Sequence, residues 1–168
     1  MTTQAELSKT ILAQYAEGPA QLETALKDLT ESNLDLALAA DCWSIHQIVH
    51  HLADGDDLWK ICIKAALGNS EGFFTLQWYW DKQQTEWAEN WKYASRGIAS
   101  SLALLRANRQ HIVELIQQIP NACEKSIRLK RLDGKEERIS VADVLAMQTR
   151  HVVGHIQDIQ TIRQAHPI

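Results

Sequence analysis

Histidines with the spacing of metal ligands occur in two clusters of this 168-residue chain, about a hundred positions apart. His46, His50 and His51 form the first cluster, and His151 and His155 form the second. Residues four apart on a helix lie one turn from each other on the same face. Two such ligands and a third from a facing helix would make a three-nitrogen site with open positions, as in catalytic zinc sites. The clusters therefore predict a divalent-metal site.

Chance alone accounts poorly for this spacing. With 7 histidines in 168 residues, roughly 0.3 pairs separated by four positions are expected at random, and two occur. The alternative is that each histidine pairs separately with a carboxylate or a backbone carbonyl. Burying three imidazoles in this way needs a hydrogen bond for every ring nitrogen, whereas one cation satisfies all three rings at once.

Helical phase selects among the histidines. At about 100° per residue, His51 lies at the edge of the apolar sector of the second predicted helix, and His46 and His50 lie on the opposite, solvent-facing side. On the last predicted helix, His155 falls well inside the apolar stripe and His151 at its edge. We therefore expect His51, His151 and His155 to face inward. The apolar sector of the second helix comprises Ile45, Ile48, Leu52, Trp59 and Ile63.

Four amphipathic segments must position these side chains. A kink or break is expected in the first at Gly18-Pro19, because proline cannot donate the helical hydrogen bond. Ser44 with Gln47, and Ser140 with Asp143, form capping-box patterns at the starts of the second and fourth segments. The predicted helices run from about Thr3 to Leu29, from Ser44 to about Leu67 before Gly68, from about Tyr93 to Gln118 before Pro120, and from Ser140 to about Gln164.

Two connections have distinct compositions. The long connection from Asn69 to Ala94 holds four of the six tryptophans, and we interpret these rings as packing groups in preference to the wall of a substrate pocket. Asp133-Gly134 predicts a small β-hairpin formed by Ile127 to Lys130 and Arg138 to Ser140. The whole chain, residues 1–168, is thus predicted to be one all-α four-helix bundle domain with a hairpin before the fourth helix.

Composition excludes several functional classes. A net charge of -4 with scattered basic residues gives no stripe for a nucleic-acid backbone, and the short basic run Arg128 to Arg131 is interpreted as a solvated face. No apolar stretch approaches the roughly 20 residues of a membrane-spanning helix, and no export signal is evident, so we expect a cytoplasmic protein. The three cysteines, Cys42, Cys62 and Cys123, are expected to be reduced core or boundary residues.

The sequence also resembles a known family. The string Trp43-Ser44-Ile45-His46-Gln47-Ile48-Val49-His50-His51-Leu52-Ala53-Asp54, with Arg150-His151-Val152-Val153-Gly154-His155-Ile156 far downstream, resembles the DinB and YfiT-like superfamily. The resemblance implies a four-helix bundle whose metal triad comes from one histidine of the second helix and an HxxxH of the last. In this chain those ligands would be His51, His151 and His155, with His50 a neighbour. A homodimer is also expected.

The resemblance suggests three functions. Relatives include metal-dependent transferases that use bacillithiol, mycothiol or glutathione, so the leading expectation is a transferase that activates a low-molecular-weight thiol for attack on a small-molecule substrate. The alternatives are a hydrolase, in which a water at the ion has its pKa lowered towards about 7, and a noncatalytic metal-binding stress-response module. A hydrolase would need a carboxylate base, for which Asp54, Asp57 and Asp158 are candidates; Asp158 could equally orient an imidazole or be solvated. Zinc or nickel is the favoured ion, and iron is compatible.

Overall fold

The computed structural model describes residues 4–166 and is mainly helical. The predicted all-α four-helix bundle is confirmed, because four long helices dominate the architecture. No helix within 4–166 combines the length and the apolar character that crossing a membrane requires. The long helices are α1 (Gln4–Ala25), α3 (Ile45–Gly68), α6 (Ala99–Gln118) and α7 (Val141–Ala165), and the short ones are α2 (Glu31–Leu34), α4 (Gln77–Trp80) and α5 (Gln84–Asn90).

The long helices pack in a closed ring of neighbours. Both α1 and α3 pack against α6 and against α7. Helix α3 also contacts a 3-10 turn at Tyr93–Ser95 and the small sheet that precedes α7. Its surface is therefore covered on several sides, and 13 of its residues are buried.

Capping boxes fix where α3 and α7 begin, as predicted. The Ser44 hydroxyl accepts a hydrogen bond from the Gln47 amide at 3.3 Å, and the Ser44 amide donates to Gln47 Oε1 at 2.9 Å. Ser140 and Asp143 make the same reciprocal pair at 3.1 and 2.9 Å. Because a fixed first residue sets the rotational phase of all later ones, these caps determine which way the histidines point.

Of the kink or break expected at Gly18-Pro19, the break does not occur, because α1 runs through both residues to Ala25. Pro19 lacks the N–H that would bond to the carbonyl of Tyr15, one turn earlier. The Arg109 Nη1 group donates to that carbonyl at 2.8 Å in its place. A Cβ at position 18 would lie 2.2 Å from Arg109 Nη1, so glycine there makes room for the guanidinium. The Gly-Pro pair thus forms a notch for Arg109.

Helix α6 begins at Ala99, six residues after the predicted start at Tyr93. Tyr93–Ser95 forms the 3-10 turn instead, and Arg96 is extended at φ -102° and ψ 139°. The carbonyl of Arg96 accepts hydrogen bonds from two histidines of α3. These tertiary contacts hold the segment out of the helix, which sequence periodicity could not reveal.

The predicted hairpin is confirmed and belongs to a three-stranded sheet. Strands β2 (Ser126–Lys130) and β3 (Glu136–Ser140) are antiparallel, and Gly134 adopts φ 79° in the turn between them. Strand β1 (Phe73–Phe74), which was not predicted, pairs in parallel with β2. The basic cluster is solvated and pairs locally, since the Arg131 side chain donates to Glu137 at 2.8 Å.

The aromatic connection folds as short helical pieces against the bundle. Trp80, Trp87 and Trp91 pack on a cluster of buried apolar side chains, and Trp87 Nε1 donates to the Tyr79 carbonyl at 2.7 Å. Trp78 is 51% exposed, and its ring makes T-shaped contacts with the rings of Tyr79 and Trp87. These contacts agree with the packing interpretation of the tryptophans.

A buried polar layer separates two apolar clusters of the bundle. At its centre Arg109, which is 1% exposed, forms a buried ion pair with Asp56 of α3 at 2.9 Å. The same guanidinium donates to the carbonyls of Tyr15 in α1 and Gln148 in α7. One side chain of α6 thus connects to the other three long helices, and removing one partner of such a buried pair typically costs about 3–5 kcal/mol.

Candidate metal centre

His51 points into the bundle from the middle of α3 and is 3% exposed. Its Nε2 atom lies 2.8 Å from Nε2 of His151 on α7. A contact this short between two ring nitrogens requires that one carry the proton and the other accept it. The two nitrogens that would bind an ion therefore already face each other.

His151 and His155 lie one turn apart on α7 and complete the group. The three ring centroids are 4.8 to 5.1 Å apart, and one nitrogen from each ring lies within 4.8 Å of the other two. The structure thus brings together the three side chains that the sequence selects. Both residues of the α7 pair are partly buried: Nδ1 of His151 is shielded from solvent, and the side chain of His155 is 22% exposed.

Burial keeps two of these rings neutral. It lowers the pKa of His51 to about 2, with smaller contributions from His151 and His155. It also lowers the pKa of His151 to about 4, with contributions from the charges of His155 and Arg109. Both rings are therefore uncharged at neutral pH, with one proton and one nitrogen lone pair each, which is the form that coordinates metals.

His155 is oriented by a carboxylate. Its Nδ1 atom lies 2.9 Å from Oδ2 of Asp158, three residues later on α7. Because a carboxylate accepts, Nδ1 carries a proton, so in the neutral ring the lone pair is on Nε2. Of the roles weighed from the sequence for Asp158, orientation of the imidazole is the one that the contact supports.

The donor set fits a divalent cation. Imidazole nitrogens suit zinc, nickel and iron, and a zinc–nitrogen distance of about 2.0–2.1 Å places neighbouring tetrahedral ligands roughly 3.4 Å apart. The observed nitrogen separations, from 2.8 Å to at most 4.8 Å, bracket that value. Within residues 4–166 this is the one group of three or more His, Cys, Asp or Glu side chains with such spacing.

Trp43 covers two of the three rings from the loop before α3. Its indole lies edge-on to His51, with centroids 4.5 Å apart, and stacks on His155 at 6.2 Å and an interplanar angle of 12°. A cavity of about 270 Å³ opens beside these residues. Its walls are formed by Leu38, Cys42, Trp43, Ile48, His155, Asp158 and Ile162.

The other two candidate bases are engaged elsewhere. Asp54 accepts a hydrogen bond from the Tyr93 hydroxyl at 2.7 Å. Asp57 forms an ion pair with Lys60 at 2.6 Å and accepts from Asn108 at 3.1 Å. Among the three carboxylates suggested by the sequence, only Asp158 contacts the histidine group.

The prediction that His46 and His50 face solvent is wrong. They are 5% and 0% exposed, and Nε2 of each contacts the Arg96 carbonyl, at 3.0 Å for His50. Nδ1 of His50 contacts the Ser101 hydroxyl at 2.7 Å, and Nδ1 of His46 lies 3.4 Å from Asp35. The turn before α6 covers this side of α3, so both rings are buried and every ring nitrogen has a protein partner.

Comparison with known proteins assigns the family. A sequence profile of the DinB superfamily matches residues 14–159. The chain belongs to the DinB superfamily. Among solved structures, it is similar to YfiT from Bacillus subtilis, described as a probable metal-dependent hydrolase with an unusual four-helix bundle topology. The TM-score is 0.81 at 22% identity, over 98% of this chain and 90% of YfiT, which establishes a shared fold.

Curated proteins are also similar to this chain in sequence. A candidate metal-dependent hydrolase of Geobacillus thermodenitrificans is 25% identical over 160 residues, which is 95% of this chain and 86% of that protein. A second, from Oceanobacillus iheyensis, is 26% identical over 145 residues, 86% of this chain and 78% of its own length. The likeness to both relatives therefore spans most of each chain.

Sequence reasoning missed several residues around the histidines. Arg109 and Gln148 gave no signal, because a polar residue on an amphipathic helix is ordinarily assigned to its exposed face. Trp43 gives no signal beyond its place in the family motif, although its position next to the cap of α3 places it near the first turn. The Gly18-Pro19 pair was the detectable sign of the Arg109 notch, since a proline inside a helical pattern leaves one carbonyl without a donor.

Proposed function

We propose that this member of the DinB superfamily is a metal-dependent hydrolase of a small-molecule substrate, with one divalent cation held by His51, His151 and His155. The observation that carries the proposal is the convergence of three imidazoles, two of them with strongly lowered pKa values, from two helices on one point. We rank hydrolysis ahead of thiol transfer because the similar curated proteins carry the name metal-dependent hydrolase.

The residues around the triad have defined parts in such a reaction. Asp158 keeps the proton of His155 on Nδ1 and so directs Nε2 to the cation. Trp43 covers His51 and His155 and limits the access of bulk water. The cavity next to His155 and Asp158 offers Leu38, Ile48 and Ile162 to an apolar part of the substrate. When bound, a divalent cation supplies a Lewis acid that polarises a substrate oxygen and lowers the pKa of an adjacent nucleophile.

Thiol transfer is the second candidate, and a specific observation favours it. Asp54 and Asp57 are paired away from the triad, and Asp158 already accepts from His155. A separate carboxylate that could take a proton from water is therefore not found among these residues. A thiol has an ordinary pKa of about 8.5 and needs less help to ionise near neutral pH.

Activity assays separate the candidates. Protein loaded with zinc, nickel or ferrous iron in turn is offered ester and amide substrates without thiol, and a model electrophile with bacillithiol, mycothiol or glutathione. Turnover without thiol that exceeds that of His155→Ala supports hydrolysis. Turnover only with a thiol supports transfer, and a stoichiometric metal with neither activity supports the noncatalytic module.

A further inference from the structure

Gln148, three residues before His151 on α7, lies where it could be a hydrogen-bond partner of the His151 ring. Among buried side-chain nitrogen and oxygen atoms of the described residues, two have no hydrogen-bond partner, namely Nδ1 of His151 and Oε1 of Gln148. Gln148 is 3% exposed. An unpaired polar atom in such a place costs about 1–3 kcal/mol, so two of them on one helix call for a physical explanation.

Helix geometry places these two side chains on the same face of α7, one turn apart. Residues three apart lie on the same face with about 5–6 Å between their Cβ atoms. Side chains on a helix lean towards its N-terminus, so the His151 ring overlies the turn that contains Gln148. The facing residue on α3 is Gly55, where a Cβ would lie 3.9 Å from His151 Nδ1, and a glycine brings no side-chain acceptor.

The chemistry of the two atoms is complementary. In the present arrangement Nε2 of His151 and Nε2 of His51 share one proton across 2.8 Å. If both Nε2 atoms are to bind a cation, the ring that carries the shared proton must change tautomer, so that each neutral ring, His151 included, carries its one proton on Nδ1. Nδ1–H is then a buried donor, and Oε1 of Gln148 is a buried acceptor with nothing bound to it.

We propose that Gln148 is a positioning residue of the metal site, accepting the Nδ1–H of His151 directly or through one water and fixing the ring with Nε2 towards the cation. Gln148 would thereby serve His151 as Asp158 serves His155. The backbone carbonyl of Gln148 also accepts from Arg109 Nη2 at 3.1 Å, which anchors this turn of α7 to the buried polar layer. The inference rests on the proposed three-histidine metal site.

Zinc affinity tests this role without reference to activity. Titration of the metal-free protein with Zn²⁺ against a chromophoric chelator should show affinity about 10- to 100-fold weaker for Gln148→Leu than for the wild type. Gln148→Glu keeps an acceptor and should bind zinc at least as tightly as the wild type. Gln164→Leu, the same change at an exposed position of α7, should have no effect.

A spectroscopic measurement on the wild type covers the case in which Gln148→Leu does not fold. In the zinc-loaded protein, ¹⁵N-detected NMR of the histidine rings should show a proton on Nδ1 of His151 that is protected from solvent exchange. Unchanged zinc affinity in Gln148→Leu, or an unprotonated or rapidly exchanging Nδ1, would overturn the role of Gln148 alone. A wild type that binds no zinc, nickel or iron would instead remove the metal site and the proposed function with it.

Discussion

In the folded protein five histidines form two clusters, His46 with His50 on one face of α3, and His51 with His151 and His155 of α7. The two clusters differ in what their ring nitrogens meet. His46 and His50 have a protein partner at every nitrogen, from Arg96, Ser101 and Asp35. His51 has its Nε2 directed at another imidazole. His46, His50 and His51 are all buried, so burial does not distinguish the histidines of α3. The difference shows that a group of histidines becomes a candidate metal site only where nitrogens with available lone pairs converge.

Matched substitutions should separate the two clusters most strongly. We expect His151→Gln to weaken zinc binding by more than about 100-fold, beyond the 10- to 100-fold of changes around a ligand. His50→Gln should keep wild-type affinity, with a stability loss of about 1–3 kcal/mol from disturbed buried hydrogen bonds. Chelator-competition titrations and urea denaturation measure both quantities.

Thermal denaturation gives a second readout of the same contrast. Zinc at 100 times its dissociation constant stabilises a folded protein by about 2.7 kcal/mol, or about 5–10 °C for a domain of this size. The wild type and His50→Gln should show this rise, and a chelator should abolish it. If His50→Gln lost the zinc-dependent rise in melting temperature to the same extent as His151→Gln, the two clusters would not be distinct.

Acid should destabilise the metal-free protein through the triad. Burial lowers the pKa of His51 to about 2 and that of His151 to about 4, from 6.5. Below pH 6.5 the unfolded chain takes up protons that the folded chain does not, so the free energy of unfolding falls as the pH decreases. The two rings should lower it by about 2 kcal/mol between pH 6 and pH 5.

Denaturant unfolding at several pH values, in the presence of chelator, measures this slope. Burial also lowers the pKa of His50, which adds to the loss in the same direction. In the variant His151→Gln, the free energy of unfolding should change less steeply with pH than in the wild type. A slope that the substitution leaves unchanged would show that His151 titrates normally in the folded protein.

Each cluster contains one histidine–aspartate pair, and only one pair should affect metal binding. We expect Asp158→Asn to weaken zinc affinity by about tenfold, the lower end of the range for such partners, because Asp158 is exposed and water replaces part of its interaction. Asp35→Asn changes the pair with His46 and should leave zinc affinity unaltered. Titrations of the two variants side by side decide the point, and equal affinities would contradict the role of Asp158.

The smallest expected effect concerns Ser101. In Ser101→Ala, Nδ1 of His50 loses its buried partner at 2.7 Å, which should cost about 1 kcal/mol of stability. Zinc affinity should not change. Ser100→Ala, at the neighbouring exposed position, is the matched control and should be neutral. If loss of zinc binding accompanied Ser101→Ala, the two faces of α3 would be coupled.

Local signals in the sequence predicted a large part of this architecture. The capping boxes at Ser44 and Ser140 identified the starts of α3 and α7 to the residue, because their hydrogen bonds join positions three apart. Asp133-Gly134 identified the hairpin for the same reason. The HxxxH spacing and the apolar phase of α3 also selected His51, His151 and His155, which the bundle brings together.

Contacts between segments far apart in the chain were decided only by the tertiary structure. Helical phase gives the angle of His46 and His50 from the apolar centre of α3, but it does not reveal that Tyr93–Arg96 covers that side. The Gly18-Pro19 pair predicts a kink or break in an isolated helix, whereas Arg109, ninety positions away, supplies the missing donor. The sequence determines what short-range hydrogen bonds and periodicity can encode, and the packing of distant segments determines which polar groups are buried and what they bind.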